Sequence, residues 1–120
     1  MRISPLLLLP ALFLSTATFA AERNVAGEYS MQGKSLRASG PGYKGDCTLK
    51  ANGEVVDVNC VNTGSGDKYV GKGIVRGDHF SLYLGEYLVV YAIGADGKLT
   101  GNWAHSRSND YGEEILTPKK

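Results

Sequence analysis

The chain has 120 residues, 42 % of them apolar, and carries 13 Lys and Arg against 12 Asp and Glu. That length makes one small domain, and a formal charge of +1 gives no field to gather nucleic acid or an anionic membrane surface. Its 16 glycines, well above the ordinary usage of about 7 %, suit tight turns and bent strands and weaken helices, so the expected class is all-β.

Met1-Arg2-Ile3-Ser4 places one positive charge ahead of an apolar core from Pro5 to Leu14, and Thr18-Phe19-Ala20 puts small residues where a signal peptidase reads. The pattern predicts a secretory signal peptide over residues 1–20, cleaved after Ala20, and a single domain over 21–120. The apolar core falls short of the ~20 residues of a membrane span, Pro10 interrupts it, and no cysteine stands at the cleavage site to take a lipid. The expected product is exported, to the periplasm or beyond, with no membrane anchor. With Arg2 gone, 12 basic residues balance 12 acidic ones.

After a lead over Ala21–Asn24, Val25–Gln32 reads as the first strand, with Val25, Gly27 and Tyr29 on one face, and Gly33–Gly42 as a polar loop. Tyr43–Ala51 is the second strand and Glu54–Asn62 the third, separated by the hairpin signal Asn52-Gly53. Thr63–Gly66 is a flexible loop. Asp67–Arg76 follows with bend points at Gly71 and Gly73, then the turn Gly77-Asp78 and the strand His79–Leu84. The stretch Glu86–Trp103 is a hairpin turning at Asp96-Gly97. In its return strand Gly101 lies between Leu99 and Trp103 on one face, leaving room for an aromatic ring to lie across it. Ser106–Asp110 is a loop, and Tyr111–Thr117 is the last strand, stopped by Pro118. Eight short strands with brief turns predict a small antiparallel up-and-down barrel, with a two-sheet sandwich as the alternative, and place Tyr29, Tyr91 and Trp103 in its core or mouth.

Export makes a disulfide between Cys47 and Cys60, the only cysteines, the expected state. With a plain two-residue turn at Asn52-Gly53, Cys47 would face Val58 and sit diagonal to Cys60, at about 7–8 Å, too far for a bond. Either the turn shifts towards Gly53-Glu54 or a bulge brings the sulfurs together. Side chains for catalysis are harder to assemble. His79 and His105 belong to no motif that fixes a nucleophile, a base and an orienting partner. Glu113 and Glu114, adjacent on a strand, point to opposite faces and cannot act on one bond together. No metal or cofactor motif is present, and Tyr83, Tyr87 and Tyr91 do not stand among basic residues as a nucleic-acid platform would.

Several segments resemble known families. Tyr69-Val70-Gly71-Lys72-Gly73-Ile74-Val75-x-Gly77 leads to Val89-Val90-Tyr91-x-Ile93-x-x-Asp96-Gly97-x-Leu99-x-Gly101-x-Trp103 and then to Gly112-x-Glu114-x-Leu116-Thr117-Pro118. With Gly27-Glu28-Tyr29 and Tyr43-Lys44-Gly45, this is similar to a family of small exported proteobacterial proteins often labelled fibronectin-binding. The likeness covers most of the exported chain and departs at Gly33–Gly42 and Leu84–Glu86, where such proteins carry a glycine-rich segment. It implies a binding role with no cofactor and no catalytic residue. Gly27-x-Tyr29 and Gly101-x-Trp103 also resemble the glycine-x-aromatic strands of avidin-like barrels, which implies a closed, aromatic-floored barrel and fixes no ligand. Ser65-Gly66-Asp67-Lys68-Tyr69 resembles the Ser-Gly-x-x-Tyr loop that periplasmic inhibitors of chicken-type lysozyme insert into the enzyme's cleft; that likeness implies that Ser65 and Lys68 address its catalytic carboxylates.

The expected function is therefore a non-enzymatic exported binding module that contacts a protein or matrix component through its loops. The alternatives are an inhibitor of lysozyme or another envelope hydrolase, acting through Ser65, Gly66, Lys68 and Tyr69, and a carrier of a small apolar ligand in the barrel mouth.

Overall fold

A computed structural model describes residues 23–120; the expected signal peptide lies outside them. Side chains along its strands alternate between buried and exposed, the period-two signature of a sheet with one face shut off from water. The strands are β1 (Gly27–Ser35), β2 (Tyr43–Asn52), β3 (Val55–Asn62), β4 (Lys68–Arg76), β5 (His79–Leu84), β6 (Tyr87–Ile93), β7 (Leu99–His105) and β8 (Tyr111–Pro118). Each runs antiparallel to the next, and β8 pairs with β1, closing the sheet into a barrel. Closure removes both sheet edges and rules out the sandwich.

The two ends differ. At one, Val25, Leu49, Val56, Val75, Phe80, Leu99 and Leu116 fill the interior with at most 2 % exposure, and the Tyr29 hydroxyl donates to the Val25 carbonyl at 2.7 Å, drawing the lead segment across the floor. The loops 36–42, 63–67, 85–86 and 106–110 gather at the other end, which stays open.

Several local readings need correction. The first strand begins at Gly27 and runs on to Ser35, because Gly33, Lys34 and Ser35 pair with Glu114, Glu113 and Gly112 of β8, so the loop shrinks to 36–42. At the β2–β3 turn the structure takes the first of the two expected alternatives: the corner sits on Gly53-Glu54, with Gly53 at φ +73° and Glu54 in an ordinary conformation, as a type II′ turn requires. That one-residue shift sets Cys47 directly opposite Cys60, and the two form a disulfide. The β6–β7 connection is longer than an Asp96-Gly97 pair. Gly94 bonds Lys98, the Gly97 amide donates to the Gly94 carbonyl at 3.0 Å, and Gly97 takes φ +86°, so Ala95-Asp96 make the corner and Gly97 the bulge.

Candidate functional site

Five inward-facing positions on five neighbouring strands form one row: Tyr43 of β2, Gly33 of β1, Glu114 of β8, Gly101 of β7 and Tyr91 of β6. The register alternates bulk with none, so both phenols can reach inward to the carboxylate between the glycines. Tyr43 donates its hydroxyl proton to Glu114 Oε1 at 2.6 Å, and Tyr91 donates to Oε2. The Tyr43 ring lies across Gly33, where a Cβ would stand 2.6 Å from Cζ. At Gly101 the atoms nearest to where a Cβ would be are the β6 backbone at Val90 and Tyr91, and the Tyr91 side chain passes this position to reach Glu114 on the strand beyond; Trp103 lies across Gly112, its partner on β8, with Cε2 2.5 Å from where a Cβ would be.

One inward row nearer the open end, the aromatic walls begin. Trp103 meets Tyr87 edge to face, centroids 5.2 Å apart at 86°, and Tyr87 meets Tyr69 at 6.1 Å and 73°. With Tyr43 these rings line a cavity of about 290 Å³, just under the roughly 300–1,000 Å³ of small-molecule sites. Met31, Leu84 and Val89 supply its apolar surface, and the 36–42 loop overhangs it. That loop is shaped by the Ser35 hydroxyl, which donates to Asp110 Oδ1 at 2.6 Å and accepts from the Arg37 and Ala38 amides. The indole N–H of Trp103 is buried without a hydrogen-bond acceptor, and its proximity to the Tyr43 oxygen lowers that phenol's pKa against the larger raising effects of burial and Glu114.

Among the described residues Glu114 is the one buried charged side chain, 5 % exposed. Burial pushes its carboxyl above the ordinary range, and the two phenol O–H groups pull it back. The phenols of Tyr43 and Tyr91 are driven up in turn, first by burial and then by the charge of Glu114. Among the described residues no Lys, Arg or His pairs with Glu114, whereas its neighbour Glu113, pointing outward, pairs with Lys34 at 3.8 Å.

The residues singled out in the sequence scatter over the barrel. Tyr29 floors the closed end, Tyr91 lies in the row beneath the mouth, and Trp103 and Tyr69 line the mouth itself. The Cys47–Cys60 bridge lies in the buried core. Ser65, Gly66 and Lys68 are exposed beside the same rim, on a loop held by Asn62, whose Oδ1 accepts from the Gly64 and Ser65 amides and whose carbonyl accepts from Gly66. His79 is exposed at a turn of the closed end, and His105 Nε2 lies 3.1 Å from Glu86 on the rim. The sequence reading passed over Glu114, Tyr43 and Tyr87 as site residues. Its own parity argument held the signal for Glu114, since Gly112, Glu114 and Leu116 share the buried face of the last strand.

The chain matches no protein-family model, and no curated protein matches it in sequence.

Proposed function

We propose that the protein is a non-enzymatic, exported binding module whose open barrel end takes a small ligand. One observation carries this reading: four aromatic side chains line a cavity of about 290 Å³ that also reaches a buried carboxylate lacking a basic partner. A barrel filled by its own side chains needs no such charge, and an unpaired buried carboxylate is costly unless something met there offsets it. Export suits the disulfide.

Trp103 is the only tryptophan in the chain and stands in the cavity wall, so its emission reports occupancy. The test titrates the mature protein with a panel of cationic, anionic and neutral compounds of cavity size, alongside native mass spectrometry of the protein as purified. A saturable, one-site change in Trp103 emission, weakened by Tyr87→Ala, is the expected result. No saturable change across the panel and no co-purifying ligand would defeat the proposal.

A protein partner bound at the same rim is the second reading, and the Asn62-held loop favours it. Protein inhibitors present rigid loops, and this loop displays the Lys68 ammonium while the Ser65 hydroxyl, accepting from Asp67 N–H at 3.2 Å, keeps its own proton to donate. The resemblance to lysozyme inhibitors and to fibronectin-binding-labelled proteins belongs to this reading. Lysozyme lysis assays and pull-downs of matrix proteins, with Ser65→Ala/Lys68→Ala as the control, decide it. Unimpeded lysis and no captured partner at micromolar protein would remove it.

A further inference from the structure

Resting on the reading of the mouth as a ligand site, we infer that its ligand is an organic cation of the alkylammonium class, with Glu114 as the counter-charge and the rings of Tyr69, Tyr87 and Trp103 as the walls. The lining decides the sign of the charge. Two carboxylates, Asp110 and Glu114, face the cavity, and no Lys, Arg or His of the described residues lines it. The basic groups nearest on this rim are engaged elsewhere: Arg107 Nη2 and Nε2 of His105, at the end of β7 against the outside of the lining ring Tyr87, lie 2.9 and 3.1 Å from the two oxygens of Glu86. An anionic ligand would meet repulsion from both carboxylates, and the lining sets against it the Trp103 indole N–H but no cationic group, Arg37 and Lys68 being exposed outside it. A neutral ligand would leave Glu114 as it is, a buried charge held by two phenols alone.

The walls decide the kind of cation. A metal ion needs several oxygen ligands, yet here each Glu114 oxygen already accepts a phenol proton, and Met31, Leu84 and Val89 offer none. A cation that brings its own apolar skin suits the site instead. Tyr69 stands at 73° to Tyr87, and Tyr87 at 86° to Trp103, so successive rings form adjacent walls of a box. Ring faces carry negative potential, and a methylated ammonium gains from it while burying its methyl groups against carbon. The cavity volume admits a small ligand of this kind.

The experiment compares choline with its carbon isostere 3,3-dimethylbutan-1-ol, which differs only in replacing the charged nitrogen. Both are titrated against the mature, disulfide-bonded protein at neutral pH, by calorimetry and by Trp103 emission. Choline should bind at least about tenfold more tightly than the isostere, the ratio expected of a charge meeting ring faces and a carboxylate out of water. Glu114→Gln should erase most of that preference and leave isostere binding within about twofold, its fold being checked by circular dichroism. If that variant does not fold, the rim position serves: Tyr69→Phe should retain choline affinity and Tyr69→Leu should lose several-fold. Equal binding of the two compounds, unaffected by Glu114→Gln or Tyr69→Leu, would overturn the inference and leave the mouth a site for neutral ligands. Failure of both compounds to bind would also overturn it, and only silence across the wider panel would remove the ligand site as well.

Discussion

Replacing Tyr91 by phenylalanine takes one oxygen from the middle of the barrel and leaves the packing in place. The ring lies stacked near Phe80, centroids 6.1 Å apart, and the side chain is 1 % exposed, so the hydroxyl is shielded from bulk water. What is lost is the proton donated to Glu114 Oε2, which leaves Tyr43 as the carboxylate's remaining donor. A hydrogen bond to a charged group contributes about 1.5–3 kcal/mol net, and the buried acceptor left short adds to that, so the expected loss is about 2–3 kcal/mol. For a domain of this size that lowers Tm by roughly 10–20 °C. In a Glu114→Gln background the same change breaks a neutral hydrogen bond, worth about 1 kcal/mol, so the double-mutant cycle should return a coupling of about 1–2 kcal/mol. Urea unfolding of the oxidised protein, followed by Trp103 emission, measures all four corners. A Tyr91→Phe cost below about 0.5 kcal/mol, or an equal cost with Gln and Glu at position 114, would refute the argument that this phenol sustains a buried charge.

Gly33→Ala should destabilise by about 1–3 kcal/mol, because its Cβ would stand 2.6 Å from both Tyr43 Cζ and the Glu113 carbonyl oxygen, and the latter is backbone that no rotamer relieves; thermal unfolding unchanged from wild type would contradict this. Reducing the Cys47–Cys60 bridge, which spans 13 residues, should cost about 3 kcal/mol in the chain-entropy account, seen as a lower urea midpoint in reductant. In alkaline solution Tyr43 and Tyr91 should ionise last. Their phenols are raised in the fold, so above the ordinary value of 10.0 the native state holds more protons than the unfolded chain, and stability falls as pH rises. Phenolate absorbance should therefore complete only as the β-sheet circular dichroism is lost. Full ionisation of every tyrosine in a still-folded protein would count against the row.

The barrel was legible because its strands alternate and its turns carry glycine. From β2 onward the expected strands match those observed to within a residue or so, since each is bounded by residues that cannot continue a ladder. The corners were less legible than the strands, and at the β2–β3 turn the sequence left two alternatives open. The Asn52-Gly53 pair looks like the corner of a type I′ turn, yet the bridge and the inward set Cys47, Leu49, Val56, Val58 and Cys60 fix a register that moves the corner on by one residue. The site was half-visible. Parity puts Glu114 inside the barrel, but nothing in one strand reveals that Gly33 and Gly101 flank it from β1 and β7, or that Tyr43 and Tyr91 stand beyond them. That row joins residues from position 33 to 114, and only the closure of β8 on β1 brings it together. The Gly112–Trp103 contact is hidden for the same reason: the glycine that accommodates the indole lies on the next strand.

At Glu114 stability and binding pull in opposite directions, and pH separates them. Its carboxyl is raised by burial above the ordinary 4.5, so between that value and the folded one the native state binds more protons than the unfolded chain. Stability is full below this window and is lost as pH rises through it. Glu114→Gln removes the titrating group, so the variant should show a flatter stability curve across the acid range than wild type. A cation in the mouth acts the other way. It binds only the folded protein and favours the ionised carboxylate, which draws the Glu114 pKa down and returns stability by mass action, about 2.7 kcal/mol at a hundredfold excess over Kd. The stabilisation of wild type by choline, read as a shift in Tm, should therefore be larger above the Glu114 window than below it, and Glu114→Gln should show a smaller shift that is the same at both pH values. An equal choline shift in both proteins, or one independent of pH in wild type, would mean that the buried carboxylate is not what the cation meets.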